Sequence, residues 1–115
     1  ESGFIENIVV VGENQKYAGA IIIPDFAFLK TWCQKHEIKF TTPQEMINDK
    51  AVKARYAEEI KKINQFFGDT EKIKRYELIA DEWSVTNGLL TPTLKVKRNI
   101  ILGKYKDLID KMYKE

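Results

Sequence analysis

The stretch N-G-L-L-T-P-T-L-K-V-K-R, residues 87–98, is the part of this sequence around which the rest is organised. Its first half predicts a turn, because Asn87-Gly88 tolerates positive φ at both positions and is a strong hairpin signal. Pro92 then fixes its own φ and favours an extended conformation at Thr91. The second half brings together three cations, namely Lys95, Lys97 and Arg98. A lysine held on such a loop can be directed at an anion such as a phosphate or a carboxylate.

The composition predicts a single soluble globular domain. The chain has 115 residues, of which 43% are hydrophobic and 31% are charged, and both fractions are ordinary for a small domain. A net charge of +2 is too balanced to indicate a nucleic-acid partner. No apolar run approaches the ~20 residues that a membrane helix needs.

The sequence does not predict a cofactor or a metal bound to this chain. Cys33 is the single cysteine, and its place among apolar helix positions favours a buried structural thiol over a nucleophile. His36 has no second ligand at helical spacing, so we expect it near a helix C-terminus rather than in a metal site. No glycine-rich phosphate-binding motif occurs in the sequence.

Three strands are predicted from apolar, β-branched runs. The runs at 5–11 and 17–23 flank a turn-rich connector at 12–16, and they predict an antiparallel hairpin of central, mostly buried strands. Because their apolar character is nearly continuous, we expect helices on both sides. A third strand is predicted at 73–80. Gly19, inside the second strand, indicates a bulge or a close backbone approach.

Helices are predicted where a capping residue precedes apolar residues at helical spacing. The expected helix starts are Asp25, Thr42 and Asp49 as caps, and a position near Val96 for the last helix. The helix after Asp49 is predicted to have a buried stripe as far as Phe67, with Gly68 ending it. The stripe expected on the last helix consists of Ile101, Tyr105, Leu108 and Met112.

The basic loop is expected on a hairpin of its own, with 83–86 folding back onto 89–90 across Asn87-Gly88. The predicted fold class is therefore α/β (α+β). A small three-stranded sheet is flanked by helices, and a short β-hairpin carries the lysine loop.

T-P-T-L-K-V-K-R at 91–98 resembles the C-terminal end of AMP-forming long-chain fatty-acid–CoA ligases, the acyl-CoA synthetases of the adenylate-forming superfamily. I-E-N-I-V-V-V-G at 5–12 and the 17–25 stretch lie in the same order as in that family, so the resemblance covers nearly the whole chain. It implies that residues 1–115 are the C-terminal (lid) domain. It also implies that a much larger N-terminal adenylating domain is absent from this chain and is its partner.

The resemblance also implies a catalytic residue. The superfamily's last motif often reads P-K-T-x-S-G-K-I-x-R, and its second lysine is catalytic for adenylation. Aligning that motif with this sequence places Lys95 on the lysine and Arg98 on the closing arginine, whereas Leu94 replaces the glycine. The long-chain subgroup commonly has T-P-T-L/F-K here. Without the resemblance, a loop lysine is usually a solvated charge.

The activity implied by the resemblance has two steps. A fatty acid and ATP with Mg²⁺ give acyl-adenylate and pyrophosphate, and the thiol of CoA then gives acyl-CoA and AMP. Lys95 would hold the carboxylate and the α-phosphate together in the first step, and rotation of the C-terminal domain would then remove it. The substrate pockets would lie mostly on the absent domain, so we expect this chain alone to be inactive.

Other roles remain open at this stage. Arg98 is a candidate for binding a substrate. Lys97 could contact the partner domain or a phosphate of CoA, although a solvated lysine is the simpler interpretation. Trp83 and Tyr113 are candidate contacts to the large domain, with packing within this domain as the favoured role.

Two alternative functions are compatible with the sequence. One is the same domain from an enzyme that adenylates another carboxylic acid, and the other is a non-enzymatic binding module whose basic loop meets an anionic partner. A cytoplasmic location fits the single cysteine. Peripheral association of the full-length protein with the inner face of the membrane is a further alternative.

Overall fold

The computed structural model describes residues 3–12, 15–68 and 71–114. Its elements are, in order, β1 (Ile5–Val11), β2 (Ala18–Pro24), α1 (Phe26–Lys35), α2 (Pro43–Asn48), α3 (Lys50–Asn64), β3 (Ile73–Leu78), α4 (Arg98–Lys104) and α5 (Lys106–Met112). Among the described residues, no helix has the length and apolar character required to cross a bilayer. Glu13 and Asn14, in the predicted connector, lie outside the described ranges.

The three strands form one mixed sheet in the order β1-β2-β3. β1 pairs antiparallel with β2, as predicted, and β3 pairs with β2 in parallel. The prediction that β1 is a central strand is wrong, because the crossover through α1–α3 places β3 on the other side of β2 and leaves β1 at an edge. Exposed Glu6 and Val10 on β1 fit that edge position.

The side chains of β2 alternate between two hydrophobic cores. Ala20 and Ile22 face the core formed by the first three helices, which we call the scaffold face; its other buried members include Leu29, Cys33, Met46, Val52, Tyr56 and Ile60. Ile21 and Ile23 face a second core, which we call the loop face; it also includes Val9, Val11, Trp83, Leu89, Leu90, Ile101, Tyr105 and Met112. Helices therefore cover both sides of the sheet, as expected.

Side-chain caps fix where the scaffold-face helices begin. The carboxylate of Asp25 accepts a hydrogen bond from the backbone N–H of Phe28, and Thr42 and Asp49 cap the next two helices in the same way. All three predicted caps are confirmed, and each such cap typically contributes about 1 kcal/mol. Within the described part of the chain, α4 and α5 begin without a side-chain cap.

α3 ends earlier than predicted, at Asn64 rather than near Phe67. The N–H groups of Gln65 and Phe66 bond three residues back, to Lys62 and Ile63, so the last turn tightens and the helix stops. The side chain of Asn64 then bonds both the N–H and the C=O of Ile73, at 2.8 Å each. This bond holds the end of α3 against the first residue of β3.

The last helix is also shorter than predicted and is divided in two. It begins at Arg98 instead of near Val96, and it breaks at Tyr105, whose φ is −106°. Ile101 and Met112 are buried as the predicted stripe requires. The break therefore does not come from a lost apolar face, and the backbone bonds from Tyr105 to Ile101 and from Ile109 to Tyr105 continue across it.

Gly19 lies at a register shift in the pairing of β2 with β3 and at a close backbone approach, so both of its predicted roles are confirmed. A Cβ atom built there would lie 2.7 Å from the sulfur of Met112 and 3.0 Å from the hydroxyl of Tyr113. The hydroxyl of Tyr113 lies within hydrogen-bond distance of the carbonyls of Val11, at 3.3 Å, and Tyr17, at 3.0 Å. Tyr113 therefore packs the end of the chain onto the first hairpin, and Trp83 is likewise buried inside this domain.

Candidate functional site

The lysine loop lies on a short hairpin, but its arms differ from the predicted ones. Leu90 and Val96 form an antiparallel bridge. The N–H of Thr91 donates to the carbonyl of Lys95 at 2.8 Å, and the N–H of Lys97 donates to that of Leu89 at 3.0 Å. The turn of this hairpin therefore spans the residues between Thr91 and Lys95. The predicted return of 83–86 onto 89–90 is confirmed in part: the N–H groups of Leu89 and Leu90 donate to the carbonyl of Ser84, at 3.2 and 3.0 Å, but no strand bridge forms there.

The Asn87-Gly88 pair lies in a turn, in which the N–H of Gly88 donates to the carbonyl of Val85 at 3.1 Å, but the turn does not join two paired strands. The side chain of Asn87 instead bonds the backbone around it. Its Oδ1 accepts from the N–H groups of Ser84 and Leu89, and its Nδ2 donates to the carbonyl of Glu82 at 2.8 Å. Of the pair, only Gly88 has a positive φ, at +80°. These local bonds occupy groups that a strand ladder would have used.

Thr91 makes most of the hydrogen bonds that shape the turn. Its carbonyl accepts from the N–H of Leu94 at 2.7 Å, and its Oγ1 accepts from the N–H of Lys95 at 3.1 Å. The hydroxyls of Thr91 and Thr93 share a further bond of 3.0 Å. The sequence indicated an extended Thr91 before Pro92 but did not reveal this role.

Leu94 adopts the left-handed conformation, with φ at +63°. Three-residue hairpin loops commonly place such a residue last, where glycine is favoured. Leu94 replaces the glycine of the superfamily motif, and the loop nevertheless takes a backbone shape that glycine would favour. The departure from the motif therefore leaves the position of Lys95 on the turn intact.

Lys95 is exposed at the end of this turn, immediately before the bridge to Leu90. Within the described ranges its ammonium has neither a hydrogen bond nor an ion pair, whereas its backbone is bonded on both sides to Thr91. Because the backbone of Lys95 is held in place and its ammonium has no partner in the described ranges, the side chain can bind an anion presented by another part of the protein.

Lys97 and Arg98 lie beside Lys95 in sequence but not in the same pocket. Lys97 is half-buried, and its carbonyl accepts from the N–H of Ile101 in the first turn of α4. Arg98 is exposed and lines a cleft of about 200 Å³ formed with Gly12, Gln15, α5 and Tyr113. The structure thus separates the tip of the lysine loop from the cleft that Arg98 lines.

A hydrogen-bonded network lies in the core next to the start of the loop, where Trp83 and Tyr105 share a cluster with Leu89 and Leu90. The Nε1 of Trp83 donates to the hydroxyl of Tyr105 at 3.0 Å, and that hydroxyl donates to the carboxylate of Asp81 at 2.7 Å. Burial, with the bond to Asp81, raises the pKa of Tyr105 to about 12. This network joins the segment before the loop to the junction of α4 and α5. No local pattern predicts this network, because Tyr105 lies 22 residues from Trp83 and 24 residues from Asp81.

Cys33 and His36 both lie in surroundings that indicate a structural role. Burial, with a smaller contribution from Asp49, raises the pKa of the Cys33 thiol, as expected for an inert structural cysteine. His36 lies at the C-terminal end of α1, where its Nδ1 is 2.9 Å from the carbonyl of Trp32. No group of three or more His, Cys, Asp or Glu side chains among the described residues is arranged to hold a metal ion.

The sequence matches the family described as AMP-binding enzyme C-terminal domain over residues 1–115. It is 31% identical over 112 residues to long-chain-fatty-acid–CoA ligase 6 of Homo sapiens, covering 95% of this chain and 16% of that protein. It is 30% identical over 112 residues to a chloroplastic long-chain-fatty-acid–[acyl-carrier-protein] ligase of Arabidopsis thaliana, covering 97% of this chain and 14% of that protein. The chain thus spans only 14–16% of the length of these two relatives.

A solved structure shows the same fold. The adenylation domain of a carboxylate reductase from Mycobacterium chelonae superposes with a TM-score of 0.72 at 16% identity, covering 96% of this chain and 16% of that one. The match over the full sequence, the relatives and the shared fold agree. This chain belongs to the C-terminal domain family of AMP-binding, adenylate-forming enzymes.

Proposed function

We propose that this chain is the C-terminal lid domain of a long-chain fatty-acid–CoA ligase and that Lys95 is its catalytic residue for adenylation. The observation that carries the proposal is the uncommitted ammonium of Lys95 on a hydrogen-bonded turn. Relatives that are named long-chain-fatty-acid ligases and cover the same region support the choice of substrate.

In the first half-reaction, an oxygen of the fatty-acid carboxylate bonds to the α-phosphorus of ATP. The bond between the α-phosphorus and the bridging oxygen breaks, and pyrophosphate leaves with the electron pair. The carboxylate and the phosphate are both anionic, so they repel each other as they approach. The ammonium of Lys95 lies between them, holds them in line and offsets the charge that develops on the phosphate oxygens.

In the second half-reaction, the thiol sulfur attacks the carbonyl carbon of the acyl-adenylate, the proton of the thiol is lost to solvent, and AMP leaves. No pair of anions has to be pressed together at this stage, so Lys95 is not required. Rotation of this domain relative to the N-terminal domain removes the loop between the two steps. Mg²⁺ would neutralise charge on the phosphates, and we expect the N-terminal domain to supply its protein ligands.

The thiol acceptor has two candidates. CoA is the first. The acyl carrier protein is the second, because the Arabidopsis relative is named a ligase for that acceptor.

Arg98, on the cleft beside α5, is our first candidate for contacting the phosphates of the substrate, and Lys97 is our second. We also propose a cytoplasmic location for the full-length enzyme, with association at the inner membrane face as the alternative.

The test is a pair of assays on the full-length protein. Acid-dependent exchange of pyrophosphate into ATP, measured from short-chain to long-chain and aryl acids, identifies the acid. Consumption of the resulting acyl-adenylate by CoA or by acyl carrier protein identifies the acceptor. We expect the highest exchange with long-chain acids and transfer to CoA. Exchange with aryl or short acids alone would favour another adenylating enzyme, and a short gene with no exchange would favour the binding module.

A further inference from the structure

Leu94 combines two features that the fold of this domain does not require. Its φ of +63° lies in the left-handed region, which glycine adopts freely and other L-residues disfavour. Its side chain is 68% exposed, so burial within this domain does not offset the unfavourable backbone. A glycine at this position would preserve the turn with less strain. The side chain of Leu94 therefore has no evident use inside this domain.

The position of Leu94 indicates where the side chain is used. It directly precedes Lys95, so the two Cα atoms are about 3.8 Å apart. Both side chains are exposed, so a surface that receives the ammonium of Lys95 comes within reach of the side chain of Leu94. The relatives of this chain are about six to seven times longer than it is, as the 14–16% coverage requires. The remainder of such a protein can supply that surface.

We propose that Leu94 is a positioning residue for adenylation, whose side chain packs against the N-terminal domain of the same protein when Lys95 reaches the reacting anions. This inference rests on the proposed function. Packing there fixes the position of the turn and removes water from around the ammonium of Lys95. Charge interactions strengthen as the effective dielectric falls, so an ammonium in a drier site stabilises the transition state more.

The experiment compares Leu94→Gly, Leu94→Ala and Leu94→Met in the full-length enzyme, with Phe66→Ala as the control. Phe66 follows α3 and is 86% exposed, so it is a large exposed apolar residue outside the loop. Each variant is assayed for pyrophosphate exchange and, separately, for thioester formation from supplied acyl-adenylate. The melting temperature of the isolated domain is measured in parallel.

We expect Leu94→Gly and Leu94→Ala to slow pyrophosphate exchange about tenfold, the scale set by burying most of one leucine side chain. Thioester formation should stay near the parent rate. Leu94→Met should restore exchange to within about twofold, because it retains the apolar volume. Phe66→Ala should match the parent. The isolated Leu94→Gly domain should melt at or above the parent temperature, since its backbone strain is relieved.

Exchange by Leu94→Gly at or above the parent rate would overturn the inference, because the side chain would then be dispensable. Equal slowing of both half-reactions would also overturn it. Lys95→Ala, assayed alongside, separates this inference from the function on which it depends. If Lys95→Ala slows exchange while the Leu94 variants do not, only the role of Leu94 is wrong. If Lys95→Ala has no effect, the proposed function and this inference both fail.

Discussion

The two faces of the sheet are built differently. On the scaffold face, three helices start at side-chain caps, and the longest has 15 residues. On the loop face, α4 and α5 have seven residues each and no side-chain cap, and residues 79–97 contain a single bridge between Leu90 and Val96. Specific side-chain hydrogen bonds, from Asn87, Thr91 and Tyr105, shape the loop face instead.

This difference implies a division of roles. The scaffold face stabilises the domain through burial and regular helices, and substitutions there should change stability without changing the chemistry of a folded molecule. The loop face carries Lys95, which we propose to be catalytic, so substitutions there should change adenylation even where their effect on stability is small. Substitutions matched across the two faces test this division.

The largest effect on stability is expected for Leu29→Ala, in the centre of the scaffold face. Leu29 is fully buried on α1, and truncating such a residue typically costs about 2–5 kcal/mol. Urea unfolding of the isolated domain measures the loss, and pyrophosphate exchange per folded full-length molecule should stay near the parent value. Leu29→Met, which keeps the volume, should cost less than about 1.5 kcal/mol. A specific loss of exchange in Leu29→Ala would contradict the division of roles.

An intermediate effect is expected for Tyr105→Phe on the loop face. It removes the hydroxyl that joins Asp81 to Trp83 and leaves a buried donor and an acceptor without that partner, at a cost of about 1–3 kcal/mol. Exchange should also fall, because the segment before the loop is no longer held to the junction of α4 and α5. The matched control is Tyr56→Phe, which removes the bond from Tyr56 to the carbonyl of Phe4 on the scaffold face. That variant should lose stability but not exchange.

The same two tyrosines predict how stability depends on pH. Burial raises the pKa of Tyr56, and burial with the Asp81 bond raises that of Tyr105 to about 12, from an unfolded value of about 10. A raised pKa means that the neutral form stabilises the fold. This contribution is complete below pH ~10 and is lost as the pH rises toward ~12. Tyr105→Phe should therefore show a shallower decrease in unfolding free energy above pH ~10 than the parent, and an equally steep decrease would contradict this assignment.

The smallest effect on stability is expected for Thr91→Val, at the base of the turn. Losing the hydroxyl that accepts from the N–H of Lys95 should cost about 0.5–1.5 kcal/mol, because this exposed group can bond water instead. Exchange should nevertheless fall severalfold, since the turn no longer fixes Lys95. Thr91→Ser keeps the hydroxyl and should retain both the stability and the exchange rate of the parent. If Thr91→Val exchanges as fast as the parent, the turn is not what positions the lysine.

Much of the scaffold face could be predicted because its signals are local. A cap such as Thr42 lies three residues from the N–H it bonds, so the pattern can be read directly from the sequence. The break at Tyr105 could not be predicted, because the apolar period continues through it. The hydroxyl of Tyr105 bonds Asp81 and Trp83, which are distant from it in the sequence, so these contacts leave no local pattern either.

Only part of the candidate site could be predicted from the sequence. The turn residues and cations of 87–98 indicated a basic loop, and the resemblance singled out Lys95. The geometry of the turn was not predictable, because Asn87-Gly88 is the stronger turn signal and leucine disfavours the φ that Leu94 adopts. Bonds from Thr91, which depend on the folded backbone, decide where the chain reverses.

A change at Lys95 in the full-length enzyme tests the central claim most directly. Lys95→Ala should slow pyrophosphate exchange on the order of 10²–10³-fold, the usual effect of losing one preorganised electrostatic contact. It should affect thioester formation from supplied acyl-adenylate much less. Lys95→Arg should restore exchange only in part, because a planar guanidinium does not replace a compact ammonium between two anions.

Lys97→Ala is the comparison within the same motif. Lys97 is half-buried at the start of α4, so its loss should slow pyrophosphate exchange far less than the loss of Lys95. We expect a large defect in exchange for Lys95→Ala with thioester formation near the parent rate. The catalytic role of Lys95 would be contradicted if Lys95→Ala slowed both half-reactions equally, or if Lys97→Ala were the more damaging change in exchange.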